Sequence, residues 1–215
     1  MINRILYILT IIPLFFVSPT DAQDEWKLKK NEDGIEIYSK PYAGSKIRAL
    51  KVTCRLEATL SQLVAVLLDI KSQDEWFYHT KSFILKPISS SELYYYAELE
   101  FPFPFSNRDF VEHITLQQDA VSKVVSMTVE NVPEFIPAKQ NIVRVLQSSC
   151  YWTVTPLGKN LIRVEFTLFA DPAGSIPAWV VNMFSLYGPY ETFKKLKIQL
   201  NKPAYKNAHF PFIRD

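Results

Sequence analysis

The chain of 215 residues has few of the residues that build the commonest catalytic and metal sites. Its five glycines are too scattered for a G-x-G-x-x-G turn or a phosphate-binding P-loop, and G-x-S-x-G is absent. The three histidines, His79, His113 and His209, form no close pair, and there is no C-x-x-C. These absences argue against phosphate-cradle and nucleophile-elbow chemistry, and we predict no catalytic residue, no metal site and no cofactor.

A strong charge of either sign is also absent. The 24 basic and 22 acidic residues leave a net charge of +2, which argues against a nucleic-acid partner because that would require a clearly basic face. Apolar residues, in contrast, are plentiful: 48% of the chain is hydrophobic, with 15 Phe, 11 Tyr and 4 Trp. This composition excludes a disordered chain and predicts one domain that buries a large apolar area.

The first 22 residues have the pattern of an export signal. Arg4 precedes an apolar run at residues 5–17, and Thr20-Asp21-Ala22 fits the small-x-small cleavage rule. We therefore predict cleavage near Ala22, localisation in the periplasm or outside the cell, and a folded unit of residues 23–215. An uncleaved anchor is the alternative, but the run is shorter than the roughly 20 residues of a spanning helix.

The remainder of the chain predicts an α+β domain with an antiparallel sheet. Alternating apolar residues at 26–53 indicate opening strands, and Thr59 with Gln62 forms a capping box before a short helix. Five strand-like runs follow at residues 93–169, joined by turns without intervening helical patterns. Residues 170–193, ADPAGSIPAWVVNMFSLYGPYETF, then give a helix that is apolar on more than one face.

The two-residue period of strands predicts which side chains face inward. Along residues 93–101 the apolar face carries the odd-numbered residues, so Tyr94, Tyr96, Glu98 and Glu100 face outward. The predicted inward faces are Leu93, Tyr95, Ala97, Leu99 and Phe101; Arg108, Phe110, Glu112, Ile114 and Leu116; and Arg144, Leu146, Ser148, Cys150 and Trp152. These faces include polar groups whose unpaired burial costs about 1–3 kcal/mol each.

Three stretches in this order, FPFPFSNRDF, NVPEFIPAKQNIVR and DPAGSIPAWVVN, resemble the START domain family of lipid transfer proteins, and especially its phosphatidylcholine-binding members. The resemblance covers residues 26–200. It implies a helix-grip fold, in which a curved antiparallel sheet wraps a long C-terminal helix and encloses a tunnel for one lipid. It further implies lipid binding, with intermembrane transfer as its expected use, a lid made of residues 132–141 and the C-terminal helix, transient contact with a membrane surface, and a monomeric protein.

The resemblance also suggests the tunnel lining. The predicted ligand-binding residues are Trp76, Tyr95, Ala97, Leu99, Arg108, Phe110, Arg144, Leu146, Ser148, Cys150, Trp179, Met183 and Phe184. Arg108 matches the family's arginine that points into the cavity, with a hairpin salt bridge as the alternative. In the C-terminal helix, Ser175 is the predicted cap, Pro177 fits the first turn, and Gly188-Pro189 breaks or kinks the helix as a possible hinge. Beyond that hinge, Lys194, Lys195 and Lys197 are available to an anionic membrane.

The chain departs from the family at the head-group site. The phosphatidylcholine-binding members have an arginine three residues before the tryptophan that aligns with Trp76, where this chain has Gln73. Their aromatic choline cage falls on Ala97, Leu99, Phe110 and Ser148, of which one is aromatic. This argues against phosphatidylcholine and leaves open a less polar lipid or a head group held elsewhere.

The family's strand order bears on the two cysteines. It implies that the strands of Cys54 and Cys150 flank the same third strand, which puts them about 9.5 Å apart, beyond the reach of a disulfide. We therefore predict free, inward-facing thiols.

Two other classes of function remain open. One is an enzyme of the wider superfamily, which would use Glu112 with Arg108 and Arg144 inside the tunnel. The other is an envelope interaction protein, which predicts an external apolar patch and a filled core.

Overall fold

The computed structural model describes residues 25–174 and 176–215, without the side chains of Met183 and Phe184. The predicted export signal and the predicted cap Ser175 lie outside the described residues. The strands are β1 (Lys27–Glu32), β2 (Ile35–Tyr42), β3 (Ser45–Leu56), β4 (Thr80–Ser89), β5 (Glu92–Leu99), β6 (Arg108–Gln118), β7 (Val125–Asn131), β8 (Val143–Arg144), β9 (Gln147–Gly158) and β10 (Leu161–Asp171). The helices are α1 (Leu60–Leu68), α2 (Gln73–Trp76), α3 (Ala178–Leu200) and α4 (Pro203–Lys206), with a 3-10 turn at Ile70–Ser72.

The strands form one curved sheet in the order β1-β2-β3-β10-β9-β7-β6-β5-β4. Every pair along this path is antiparallel, and β8 joins β6 in parallel. Helices α1 and α2 connect the two halves of the sheet, and α3 lies across its concave face. The predicted α+β class and antiparallel sheet are confirmed.

Helix α1 begins where the sequence predicts. Thr59 Oγ1 accepts a hydrogen bond from the backbone N–H of Gln62 at 3.1 Å, and the Gln62 side chain accepts one from the Thr59 N–H at 2.9 Å. This reciprocal pair satisfies two amide groups that a helix start would leave without partners. Leu60, Leu63 and Leu67 then bury the helix against the core.

Helix α3 is continuous through Gly188 and Pro189, so the predicted break is wrong. Pro177 is the N-cap residue and not part of the first turn. The C-terminal half of α3 is held by apolar packing, with Phe193 and Leu196 fully buried. Such packing can outweigh the roughly 3 kcal/mol cost of an interior proline. In the described ranges, no helix is both long and apolar enough to cross a membrane.

The loop at residues 132–141 lies on the outer face of β5, away from the concave side, which contradicts its predicted role as a lid. Phe135 stacks on Tyr94 with ring centroids 4.3 Å apart, and Lys139 Nζ lies 3.7 Å from the ring centre of Tyr96. The loop thereby buries Tyr96, whose strand position predicts an outward orientation.

Arg144 fastens this loop to the sheet. Its Nε and Nη2 donate to the two carboxylate oxygens of Asp109 at 2.8 and 3.0 Å, and its guanidinium also donates to the carbonyls of Pro133, Ile136 and Pro137. Arg144 therefore does not face the concave side as predicted. The strand is interrupted at residues 145–146, so the alternation counted back from Cys150 does not extend to Arg144 or to Leu146, which is 64% exposed.

We predict that replacing Asp109 with Ala lowers the free energy of unfolding by about 3–5 kcal/mol, because it leaves the Arg144 charge buried without its carboxylate. Urea unfolding measures the loss. The matched control is Glu165→Ala, which breaks the exposed Arg163–Glu165 pair at 4.0 Å and should cost at most about 1 kcal/mol. Equal losses for the two variants would contradict the anchoring role of Asp109.

Candidate functional site

A cavity of about 530 Å³ lies between the concave face of the sheet and α3. Strands β3, β5, β6, β7, β9 and β10 all contribute to its wall, which shows how far the sheet curves around it. Most of the wall is apolar. The apolar lining residues include Ile47, Leu50, Leu67, Trp76, Phe77, Ala97, Leu99, Phe101, Phe110, Ile114, Met127, Val129, Trp152, Phe166, Leu168, Val181 and Phe193.

The structure brings seven of the predicted lining residues to this wall: Trp76, Tyr95, Ala97, Leu99, Arg108, Phe110 and Cys150. That they contact a ligand stays a prediction. Arg144 and Leu146 lie on the outer side, as described above. Ser148 does not line the cavity, although its hydroxyl oxygen is buried. The side chains of Met183 and Phe184 lie outside the described residues.

Trp179 is 69% exposed and does not line the cavity, so its predicted inward orientation is wrong. The helix instead presents Val181, Ser185 and Pro189 to the cavity. The Asn182 side chain sets this rotation: its Oδ1 accepts from the Arg48 N–H at 3.2 Å, and its Nδ2 donates to the Lys46 carbonyl at 3.3 Å. These contacts are 134 and 136 residues distant along the chain, so the helical pattern alone does not reveal them.

Residues 77–80 form one side of the cavity next to α3, which the sequence did not predict. The Tyr78 N–H donates to Thr192 Oγ1 at 3.1 Å. A Cβ at Gly188 would lie 3.3 Å from the Tyr78 ring, so glycine permits this close approach. The sequence signal was Thr192, a polar residue that is buried beside Tyr190 and Phe193.

Arg108 is buried at one end of the cavity. Its Nε donates to the Pro172 carbonyl at 3.0 Å, Nη2 to the Ala173 carbonyl at 3.2 Å, and Nη1 to the Ser106 carbonyl. Among the described residues no carboxylate pairs with it, so the hairpin salt bridge is not the arrangement found. Burial lowers the pKa of Arg108, and three backbone dipoles disperse its charge. Two of its five N–H groups remain for other acceptors.

Glu112 is a buried carboxyl group on the same strand, four residues from Arg108. It accepts a hydrogen bond from the Tyr95 hydroxyl. Burial raises the pKa of Glu112 to about 7, while the Tyr95 and Ser148 hydroxyls act in the opposite direction. Glu112 in turn adds to the effect of burial in raising the pKa of the Cys150 thiol. The cavity thus contains a carboxyl group that titrates near neutral pH.

Cys54 and Cys150 are free and buried, as predicted. They lie on β3 and β9, the two neighbours of β10, opposite Val164 and Leu168. Burial raises the pKa of Cys54 to about 12, and the thiol of Cys150 is likewise held protonated. Neither has the thiolate character of a nucleophile.

Comparison with known proteins places this geometry in context. The family model described as the START domain matches residues 14–205. A rat phosphatidylcholine transfer protein is 30% identical over 164 residues, covering 74% of this chain and 75% of the relative. An uncharacterized protein of Pseudomonas aeruginosa is 28% identical over 189 residues, covering 88% of this chain and 93% of its own.

The fold is also found among solved structures. A crystal structure of a STAR-related lipid transfer protein fragment from Xanthomonas axonopodis superposes with a TM-score of 0.77 at 32% identity, covering 83% of this chain and all of the fragment.

We predict that Glu112→Gln stabilises the protein at high pH. The folded pKa of about 7 exceeds the unfolded value near 4.5, so the wild type loses stability as pH rises from about 4.5 to 7. Glutamine removes this loss. The variant should therefore equal the wild type near pH 4 and exceed it by up to roughly 3 kcal/mol at pH 8, as measured by urea unfolding. The control is Glu130→Gln at an exposed position, which should show no such pH-dependent gain. If the free energy of unfolding of Glu112→Gln equals that of the wild type at every pH, the burial of a titrating carboxyl group is contradicted.

Proposed function

Because the chain belongs to the START domain family, we propose that it binds one lipid in the cavity beneath α3 and transfers it between membranes. The observation that carries this proposal is the cavity itself, which is mostly apolar but has buried polar groups at a few points. Such a wall suits acyl chains with a small polar head. Each CH2 group removed from water contributes about 0.8 kcal/mol, so even one long chain gives a large driving force.

The proposed role is binding and not catalysis. Arg108 donates to three backbone carbonyls, and Glu112 is held by Tyr95, so neither is free to pair with the other as acid and base. A cavity of about 530 Å³ also disfavours the alternative of an interaction protein with a filled core. Action as a monomer, after export and cleavage near Ala22, belongs to the same proposal.

In this proposal the N-terminal half of α3 is the lid. It covers the cavity through Val181 and Ser185, and the two hydrogen bonds of Asn182 hold it to β3. Pro189 supplies no N–H to the Ser185 carbonyl, which weakens the helix between the lid and the buried C-terminal half. A hinge at Gly188-Pro189 is therefore consistent with the packing.

The membrane contact proposed here is the rim of the cavity beside this lid. Phe101 and Pro102 line the cavity, and the next residue, Phe103, is 96% exposed. Trp179, at the start of the lid, is a second large apolar side chain that is exposed, at 69%. Lys197, which the sequence offered as a membrane contact, lies in the other half of α3 and donates to the Asp33 carbonyl. An apolar rim with an indole is typical of insertion at a bilayer interface.

The first test is native mass spectrometry of protein purified from its host. We expect a lipid-sized mass adduct that organic extraction removes and that returns after incubation with phospholipid vesicles. A protein that carries no lipid and takes up none from vesicles of any head group would overturn the proposed function.

The second test concerns the rim. Phe103→Ser together with Trp179→Ser should weaken binding to phospholipid vesicles at least about tenfold in a flotation assay, since two large apolar side chains are lost. Val121→Ser is the matched control, because Val121 is 93% exposed in the β6–β7 turn, at the other end of β6. Equal vesicle binding by the rim double variant and by this control would place the membrane contact elsewhere.

A further inference from the structure

A second pocket, of about 250 Å³, lies between the N-terminal half of α3 and the strands β1, β2 and β3. We call it the side pocket. Its lining residues are Lys29, Ser39, Arg48, Leu50, Asn182, Ser185 and Leu186. Arg48, Leu50 and Ser185 also line the cavity beneath α3, so the two spaces are neighbours. The side pocket is therefore part of the seam between the helix and the first three strands.

A β-bulge places a lysine at this pocket. Leu28 and Lys30 pair with consecutive residues of β2, which leaves Lys29 as the extra residue of β1. Such a bulge changes the direction in which a side chain points, and bulges are frequent beside functional sites. Lys29 lines the side pocket, whereas Lys27 on the same strand does not. The cation is thus brought to the pocket by a local irregularity of an otherwise regular strand pair.

The side pocket also has hydrogen-bond donors that the described protein does not use. Arg48 Nε donates to Ser39 Oγ at 3.0 Å, but Nη1 and Nη2 of Arg48 have no acceptor among the described residues. The Ser39 hydroxyl is buried and accepts that bond, so its own hydrogen remains available. Asn182 Nδ2 donates one N–H to the Lys46 carbonyl and has a second. With the ammonium of Lys29, the three strands and the helix each supply a donor.

The two cations of the side pocket have no acid opposite them. None of the described lining residues is acidic, and within residues 25–174 and 176–215 neither Lys29 nor Arg48 forms an ion pair. The other buried arginines differ in this respect, because Arg144 is paired with Asp109 and Arg108 donates to three carbonyls. Two positive charges and a buried hydroxyl group around one small space favour a negatively charged ligand.

We propose that the side pocket binds a phosphate group, either inorganic phosphate or the phosphate monoester of a lipid at a membrane surface. The Arg48 guanidinium presents paired N–H groups that match two phosphate oxygens, and Lys29 adds a second positive charge. A carboxylate has two oxygens, whereas a phosphate has enough acceptors for Ser39 and Asn182 as well. The site is separate from the cavity beneath α3 and does not depend on which lipid that cavity holds.

The proposed site couples the ligand to the position of α3. Lys29, Ser39 and Arg48 belong to the sheet and Asn182 belongs to the helix, so phosphate contacts all four only while the N-terminal half of α3 is packed on β3. A ligand that binds one arrangement more tightly shifts the equilibrium toward it. Bound phosphate should therefore hold the N-terminal half of α3 on the sheet.

The first measurement is isothermal titration calorimetry of the protein with inorganic phosphate. Sodium chloride keeps the ionic strength constant, so that general charge screening does not change during the titration. We expect one saturable site per chain. Lys29→Gln and Arg48→Gln should each weaken phosphate binding at least about tenfold, because each removes a charge-assisted hydrogen bond. The matched control Lys27→Gln, two residues away on β1, should stay within about twofold of the wild type.

The two variants differ in their risk to the fold. Arg48→Gln keeps the backbone N–H that donates to Asn182 but loses the guanidinium beside Ser39. Lys29 is exposed on an edge strand, so Lys29→Gln should leave the free energy of unfolding unchanged and remains informative if Arg48→Gln is unstable. Urea unfolding of both variants checks this.

The second measurement distinguishes the two sources of phosphate. The same variants are tested for flotation with phosphatidylcholine vesicles that contain or lack phosphatidic acid, whose head group is a phosphate monoester. A loss of inorganic phosphate binding in both variants identifies free phosphate as a ligand, and a loss confined to vesicles with phosphatidic acid identifies a lipid phosphate. Binding of neither probe, or binding that Lys29→Gln and Arg48→Gln retain, would overturn the inference.

Amide hydrogen exchange tests the coupling to α3. Saturating inorganic phosphate, or vesicles with phosphatidic acid if only these bind, should slow exchange at residues 178–187 at least about threefold in the wild type and leave it unchanged in Lys29→Gln. Unchanged exchange in the wild type would contradict the contact with Asn182 and hence the placement of phosphate in the side pocket. A protein that binds phosphate but takes up no lipid would overturn the proposed function and leave this inference intact.

Discussion

The packing of Phe193 against Trp152 and Phe166, with ring centroids 5.5 and 5.7 Å apart, fixes α3 to the sheet. Leu196 and Leu200 extend this contact toward the C-terminus, and the Tyr190 hydroxyl adds a hydrogen bond to Asp33 at 2.7 Å. Because one half of the helix is anchored in this way, the other half can extend over the concave face without filling it. The cavity exists because the two halves of a single helix differ in how much apolar surface they bury.

The difference extends to how the two halves are attached. The C-terminal half of α3 is attached by apolar burial, which has no directional requirement. The N-terminal half is held by the packing of Val181 against Ile47, Ala49 and Phe169 and by the hydrogen bonds of Asn182, which are directional and are replaceable by water. Opening the N-terminal half exposes the smaller side chains of Val180 and Val181 and polar groups that water can satisfy. Opening the C-terminal half would expose Phe193, Leu196 and Leu200. This difference favours opening of the N-terminal half of α3 while the C-terminal half stays packed on the sheet.

The sequence predicted the parts that depend on local periodicity. Alternation along β5 and β6 placed Tyr95, Ala97, Leu99 and Phe110 on the concave face, and the capping box located α1. The sequence did not predict side-chain orientations that depend on contacts between residues distant along the chain. Arg144 faces outward because its partner Asp109 is 35 residues away and the strand is interrupted beside it. Trp179 is exposed because Asn182 fixes the rotation of α3 through β3, a contact that no helical pattern encodes.

The two buried charged residues of the cavity, Arg108 and Glu112, also have partners that the sequence did not predict. Arg108 and Glu112 are four residues apart on one strand, about 13 Å, and the sequence offered them, with Arg144, as the charged groups of the alternative enzyme site. The structure gives Arg108 three carbonyl oxygens contributed by the turn before β6 and the segment after β10. Glu112 accepts from the Tyr95 hydroxyl and forms no ion pair within the described part of the chain. Burial of the Glu112 carboxylate thus destabilises the folded protein at neutral pH, at a wall built mostly from apolar residues. A carboxyl group that faces this cavity restricts the polarity of any ligand that binds there.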